Sequence, residues 1–299
     1  MEAINKIKID IKYLSALGRI FTPMVMDSLA QEGSSDYLTE VSTNSDLMVH
    51  IDKSMTLGQF FDWIYSILFA KYRNEYIYKN VIANKILLGK HNLNTSHLLT
   101  EFRVGKCKAD VVILNGTSTV YEIKSEFDSF ARLEKQILSY LEIFDHINVI
   151  TSNSQVAKLE SILPHTVGIL VLTNRNTIST IRGSEANKKN INPAILFDSL
   201  RKNEYIKIIK EYYGTVPDVP NALLYRECKK LFCKIYPEIA HDVTTKVLRE
   251  RTNLKVLMEF IEKAPLSLSA YAMTICNEKT KMQALIPRFS SSIGSVIFT

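Results

Sequence analysis

The 299 residues suffice for two domains, or for one domain with large additions, and a balance of 46% hydrophobic to 23% charged residues excludes a disordered chain. Lys and Arg number 37 against 31 Asp and Glu, a net charge of +6 that is compatible with a phosphate backbone as partner but too small to demand one. The four cysteines, Cys107, Cys228, Cys233 and Cys276, form no Cys-x-x-Cys pair and have no His at zinc-finger spacing, so they read as reduced thiols rather than a zinc site or a disulfide framework.

In chain order, residues 1 to about 70 read as helical, with Ile9, Leu14, Ile20 and Met24 giving a loosely amphipathic start. No apolar stretch follows Met1–Lys6, so no secretory signal is expected. The polar stretch Gln31–Asp46 reads as a turn-rich connection. A helix is expected from about Leu57 to Lys71 or beyond; its most apolar window, Phe60–Ala70, is short and interrupted by Asp62, which suits a buried helix and not a membrane span. A cytoplasmic protein without membrane contact is the expectation. Another helix spans about Asn74–Leu88 and stops at Gly89.

The period then changes. Thr100–Arg103 begins a first strand, Ala109–Leu114 is a second, Asn115-Gly116 a turn and Thr119–Lys124 a third. A helix from about Asp128 to Phe144 carries Leu133, Ile137 and Leu141 at helical spacing. The strand Ile147–Thr151, a helix Ser154–Leu163 and strands Val167–Leu172 and Thr177–Arg182 complete an α/β core with a mixed sheet. Helices are expected at Ala194–Tyr213, Ala222–Ile235 and His241–Ile261, and the Ser-rich tail after Pro265 gives little signal.

The chemistry concentrates on the hairpin. Glu122 and Lys124 are two apart on a strand and share a face. A two-residue Asn115-Gly116 turn would put Asp110 opposite Tyr121, on the wrong face; a three-residue loop or a bulge brings it opposite Glu122, so such an irregularity is predicted. Asp110 and Glu122 among Val111, Val112, Ile113, Val120 and Ile123 would repel each other without a cation, and a hard divalent ion such as Mg²⁺ suits their oxygens. The bland alternative is an exposed strand edge whose charges are solvated. On the next helix Gln136 and Tyr140, four apart, share one face, with Arg132 a turn earlier. The scattered His50, His91, His97, His146, His165 and His241 suggest no nucleophile partner, and no Gly-rich phosphate loop is present.

Asp110, then Glu122-Ile123-Lys124, then Gln136-x-x-x-Tyr140 resembles the PD-(D/E)XK nuclease superfamily, in particular its Gln-x-x-x-Tyr branch of RecB-type and lambda-exonuclease-type enzymes. The resemblance covers about residues 74 to 172, and Ala109 stands where the family's name has Pro. It implies a restriction-endonuclease-like core at 71–185 between helical regions at 1–70 and 190–299. It implies a Mg²⁺- or Mn²⁺-dependent deoxyribonuclease with Asp110, Glu122, Lys124, Gln136 and Tyr140 catalytic, and with Asp110, Glu122, Ile123 and Glu75 at the metal. Glu101 is the rival to Glu75 for the upstream acid. Arg103, Lys106, Lys108, Arg132 and Lys135 are the expected nucleic-acid contacts, with an ordinary solvated face as their alternative. DNA is the expected partner, RNA is left open, and a homodimer or an inhibitor protein is compatible with the sequence. By analogy such stand-alone bacterial proteins belong to mobile elements or phage defence. Two other readings stay open: a non-catalytic nucleic-acid or protein-binding module on the same fold, and the toxin or effector of a two-protein system.

Overall fold

The computed structural model describes residues 7, 9–90 and 95–297; Met1–Lys6 and His91, both considered above, lie outside the described residues. Six strands form one sheet in sequence order: β1 (His97–Val104), β2 (Cys107–Leu114), β3 (Ser118–Lys124), β4 (His146–Thr151), β5 (Gly168–Leu172) and β6 (Ile178–Arg182). The pairs β1–β2, β2–β3 and β5–β6 are antiparallel, while β3–β4 and β4–β5 are parallel. Parallel neighbours need a crossover, and the helices Leu133–Leu141 and Val156–Ile162 supply it in the two cases. The strands are short apolar runs, and β5 is buried along its whole length, as a strand covered on both faces requires.

The alternation of side chains sends the strands' apolar residues into two cores. Val112, Leu114, Val120, Val149 and Ile169 pack with Leu133, Ile137 and Leu159 of the crossover helices and with the helices between residues 193 and 248. Val111, Ile113, Tyr121, Ile123 and Ile150 face the other way, into a core built by the N-terminal helices and by helices of the last fifty residues. The sheet is therefore the middle of three layers, and the C-terminal end of the chain returns to pack against its beginning. Leu57 and Gly58 donate main-chain N–H groups to the carbonyls of Ser291 and Phe289, which fixes that return.

The helix Leu57–Lys71 has the expected limits because Thr56 and Gln59 cap it reciprocally, at 3.2 and 2.9 Å. Elsewhere local chemistry moves the boundaries. Within the polar stretch Gln31–Asp46 the chain is helical from Asp36 to Asn44, since Ser35 accepts from the Leu38 N–H and the sparse apolar residues Leu38 and Val41 meet the core. The helix after β3 starts at Leu133 rather than near Asp128, because the Asp128 carboxylate takes both the N–H and the hydroxyl of Ser125 and closes a loop there. The expected helix Ala194–Tyr213 is two, Pro193–Asp198 and Lys202–Tyr213, and His241–Ile261 is split into Pro237–Leu248 and Leu254–Lys263. The tail after Pro265 holds helices at Ser269–Thr274 and Lys279–Arg288. Among the described residues, no helix is long and apolar enough to cross a membrane.

Candidate active site

The β2–β3 hairpin closes through a three-residue loop. Leu114 pairs with Ser118 and Val111 with Tyr121, so Asn115, Gly116 and Thr117 make the turn, with Gly116 at φ +66° where a side chain would be strained. Continuing that register by one residue sets Asp110 opposite Glu122. On the other side, Thr100 pairs with Val111 and Phe102 with Ala109, which sets Glu101 opposite Asp110. Glu101, Asp110 and Glu122 thus occupy one cross-strand row over β1, β2 and β3.

The sheet is irregular at this row. Glu101 has φ +54°, a left-handed conformation unusual for a residue with a long side chain. The β2–β3 pairing ends at Val111 and Tyr121, and beyond it the Ile123 N–H donates to the Asp110 carboxylate at 2.8 Å instead of to a neighbouring strand's carbonyl. β3 keeps its other partner, pairing with β4 as far as Lys124 and Thr151, and the Thr151 hydroxyl donates to the Lys124 carbonyl at 2.7 Å. Glu122, Ile123 and Lys124 are therefore held from one side and open on the other.

Two groups of side chains meet at Asp110. In the first, the carboxylates of Glu75, Glu101 and Asp110 each offer an oxygen, all within 4.8 Å of one another. Glu75 comes from the first turn of the helix Glu75–Ile82, which Asn74 caps through the Ile77 N–H. The two rival candidates for the upstream acid are both present here. Lys79, one helical turn after Glu75, lies between them, with Nζ 2.6 Å from Glu75 and 2.5 Å from Glu101. Lys108 adds a second contact to Glu101 at 3.2 Å. Burial alone would lower the Lys79 ammonium and raise the Glu101 carboxyl. Their mutual attraction, with Glu75 acting on Lys79 and Lys108 on Glu101, reverses both directions.

In the second group, the Lys124 ammonium donates to Glu122 at 2.8 Å and to Gln136 Oε1 at 3.1 Å. The pair is buried, with side-chain exposures of 10% for Lys124 and 1% for Glu122, so the carboxylate needs every partner it has. The Tyr140 hydroxyl is 2.7 Å from the other Glu122 oxygen and 2.8 Å from the Lys108 carbonyl; with one proton it donates to one of them at a time. Burial and the negative charge of Glu122 push this phenol well above its usual range, so it remains a donor. Gln136 and Tyr140 reach the site because the buried faces of Leu133, Ile137 and Tyr140 press their helix onto the sheet.

Asp110 stands between the groups and is the most perturbed acid of the site. Burial pushes its carboxyl up to about 8, the charges of Glu122 and Glu75 push the same way, and the Ile123 N–H opposes them. Glu122 is absent from the three-acid group because Lys124 and Tyr140 hold its oxygens. Of the expected nucleic-acid contacts, Arg103, Lys106, Lys108, Arg132 and Lys135 are all exposed. Arg103 and Lys108 are direct cross-strand partners, and of the two Lys108 is paired with the Glu101 carboxylate while Arg103 makes no ion pair among the described residues.

One constellation escaped the sequence pattern. His241 Nε2 lies 2.8 Å from the Ser118 hydroxyl and His241 Nδ1 lies 2.9 Å from Asp242, a serine–histidine–aspartate chain joining residues 123 positions apart. Only the structure could reveal it, since no local motif marks it. It is a strut rather than a nucleophile: Ser118 and His241 are 3% and 1% exposed, and the Ser118 oxygen accepts the Asp145 N–H. Burial lowers the His241 imidazole and keeps it neutral.

The model of a family described as bacteriophage P4 protein cII matches residues 69–270, a span that contains every residue of both groups. Protein cII of Enterobacteria phage P4 is 25% identical over 125 residues, 40% of this chain and 45% of the relative, so the match spans less than half of that relative's length. A solved structure of a protein of unknown function from Silicibacter pomeroyi superposes over 42% of this chain and 87% of its own, at 19% identity and a TM-score of 0.28, too loosely to define a shared fold.

Proposed function

This chain belongs to the bacteriophage P4 protein cII family; from the geometry of its site, and not from that family, we propose that it is a metal-dependent nuclease of the PD-(D/E)XK type that hydrolyses DNA phosphodiester bonds. One observation carries the reading: Asp110, at an open point of the sheet, joins the carboxylates of Glu75 and Glu101 to the buried chain of Glu122, Lys124, Gln136 and Tyr140. An isolated solvated edge has no reason to bury the second group or to raise Asp110 so far.

The donor set suits Mg²⁺ or Mn²⁺. Hard carboxylate oxygens converge, and burial together with the charges of Glu122 and Glu75 raises the Asp110 carboxyl, a load that a bound cation would relieve. Asp110, Glu75 and Glu101 would hold the ion, with Glu122 and the Ile123 main chain adjoining. When bound, it supplies Lewis acidity that polarises the phosphodiester and eases deprotonation of water. Lys124 spends two N–H bonds on Glu122 and Gln136, which leaves its third to orient a water or to meet charge growing on the phosphate. Tyr140 and Gln136 position Glu122 and Lys124, and the exposed Arg103 gives a phosphate somewhere to sit.

A second reading, a non-catalytic binding module, draws on Lys79. Its ammonium bridges Glu75 and Glu101, and with Lys108 on Glu101 it balances their two charges, so the cluster can be satisfied without metal. The test is cleavage of plasmid and single-stranded DNA in Mg²⁺ or Mn²⁺ by wild type and by Lys124→Ala. Cutting that needs metal and falls at least about 100-fold in the variant supports the nuclease. Intact DNA under every condition, with binding retained, gives the module reading instead.

A further inference from the structure

Two cavities meet at the acid cluster. One, of about 550 Å³, is lined by Arg19, Tyr72, Glu75 and Lys79 among others. The other, of about 330 Å³, is lined by Arg103, Arg201, Arg251 and Asn277 among others. Thr100, Glu101 and Thr274 line both, so the cavities are two lengths of one groove. β1 has only β2 beside it, and the groove runs along this free edge of the sheet.

Carboxylates gather where the two lengths join; Arg103, Arg201 and Arg251 line the smaller cavity, and Arg19 and Lys79 the larger. Arg251 is already committed: Glu204 accepts from its two nitrogens at 2.6 and 2.7 Å, and its guanidinium lies over the Phe102 ring at 5.3 Å. It serves as a fixed wall. Arg103 and Arg201 are exposed, and Arg103 makes no ion pair among the described residues and is paired across the strands with Lys108. On the other side of the carboxylates stands an aromatic pair. Tyr72 lines the larger cavity, and the Phe127 ring lies 4.6 Å from it at 30° while remaining 55% exposed. An exposed phenylalanine beside the groove offers a stacking face that the fold itself does not use.

We propose that this groove is the track of a single nucleic-acid strand, with Arg103 and Arg201 gripping its phosphates on one side of the carboxylates and Tyr72 and Phe127 stacking a base on the other. The proposal rests on the nuclease reading for the place of the bond to be cut. A single strand fits better than a duplex because stacking on Phe127 needs an unpaired base, and because the smaller cavity is walled by β1 on one side and by the segments carrying Ser199 and Asn277 on the other.

The test measures binding apart from chemistry: fluorescence anisotropy of a labelled 12-nucleotide single strand and of the matching duplex, in Ca²⁺, for full-length protein. The single strand is expected to bind at least tenfold more tightly. In Arg103→Ala/Arg201→Ala the slope of log affinity against log salt should become shallower by about 1.4, the share of two phosphate contacts on a single strand. Phe127→Ala should weaken binding by about fivefold to a hundredfold with the salt slope unchanged. Lys210→Ala, an exposed lysine outside the groove, should change neither. Equal circular dichroism spectra establish that each variant is folded, and Phe127→Ala keeps the test alive if the arginine variant is not. A preference for duplex, or unchanged binding in both groove variants, overturns the track. Metal-dependent cutting by a protein whose groove variants bind normally would sink the track and leave the nuclease. Groove-dependent binding without cutting would do the reverse.

Discussion

Asp110 offers the most quantitative test of the site. Its carboxyl is raised from 3.8 to about 8, first by burial and then by the charges of Glu122 and Glu75. A group whose pKa is higher folded than unfolded stabilises the fold fully below its unfolded value and loses that contribution as pH rises. Here the loss runs from about pH 4 to pH 8. At pH 7 the unfolded chain gains by ionising this acid while the folded chain does not, which corresponds to at most about 4 kcal/mol against folding. Asp110→Asn removes the ionisation and keeps an oxygen for the Ile123 N–H. In EDTA at pH 7 the variant should therefore melt above wild type, by about 3 °C if half of that energy is recovered.

Excess Mg²⁺ should invert the order. Wild type gains about 2.7 kcal/mol when the ion is a hundredfold above its dissociation constant, whereas the variant has lost a ligand and gains little. Because binding must displace the Asp110 proton, wild-type metal affinity should climb up to about tenfold per pH unit between pH 6 and 8. Differential scanning fluorimetry across pH, with EDTA or Mg²⁺, reads all of this. A variant that melts below wild type in EDTA would refute the claim that folding suppresses the ionisation of Asp110; equal metal shifts in both proteins would remove Asp110 from the cation site.

Three further outcomes are expected. Tyr140→Phe deletes the hydrogen bond to Glu122 without changing the ring's packing, and should lower metal affinity or cleavage about 10- to 100-fold, measured by metal titration and by DNA cutting. Lys79→Met removes the ammonium between Glu75 and Glu101, so the metal-free protein should melt lower and Mg²⁺ should bind more tightly; weaker binding would mean that Lys79 organises the carboxylates instead of competing for them. Burial lowers the His241 imidazole, so the folded state resists its protonation and stability should fall as pH drops through 6.5. His241→Gln should flatten that part of the melting curve.

The sequence pattern was most legible where a local rule decides the outcome. The helix Leu57–Lys71 follows from its apolar content and its Thr56 cap, and the register problem of the hairpin could be posed from the alternation of side chains alone, with a three-residue loop as one of its two solutions. The strands of the middle third stand out because they are short and apolar among polar turns. Less was legible where partners are distant. The helix Asp36–Asn44 hides among serines and threonines because its stability comes from a core completed by the C-terminal helices. The tail after Pro265 looked uninformative for the same reason: its short helices have apolar faces that make sense only against the N-terminal layer. Glu101 could be named as a candidate, but its approach to Glu75 depends on a left-handed residue within a strand, which no propensity anticipates. The contact of Ser118 with His241 joins residues 123 positions apart and leaves no trace in either local segment.

The position of the proposed site in the sheet has a mechanical logic. A site that handles charge must hold its groups rigidly and still admit solvent and substrate. A fully paired central strand gives rigidity without access, and an edge strand gives access without rigidity. β3 combines the two at its C-terminal end: the parallel ladder to β4 continues through Lys124, while the antiparallel ladder to β2 stops at Tyr121. Glu122, Ile123 and Lys124 sit on the stretch that is held once and open once. Asp110 occupies the matching stretch of β2 and spends its carboxylate on the Ile123 N–H that the missing ladder would have used. The break in pairing therefore leaves that amide satisfied, and it is the acidic side chain that satisfies it. If this is why the hairpin opens where it does, Asp110→Ala should disturb the local backbone as well as any metal binding, and the Ile123 amide should exchange with solvent faster than in Asp110→Asn. Equal exchange at Ile123 in the two variants would separate the hairpin's opening from the acid and leave the loop register as its only cause.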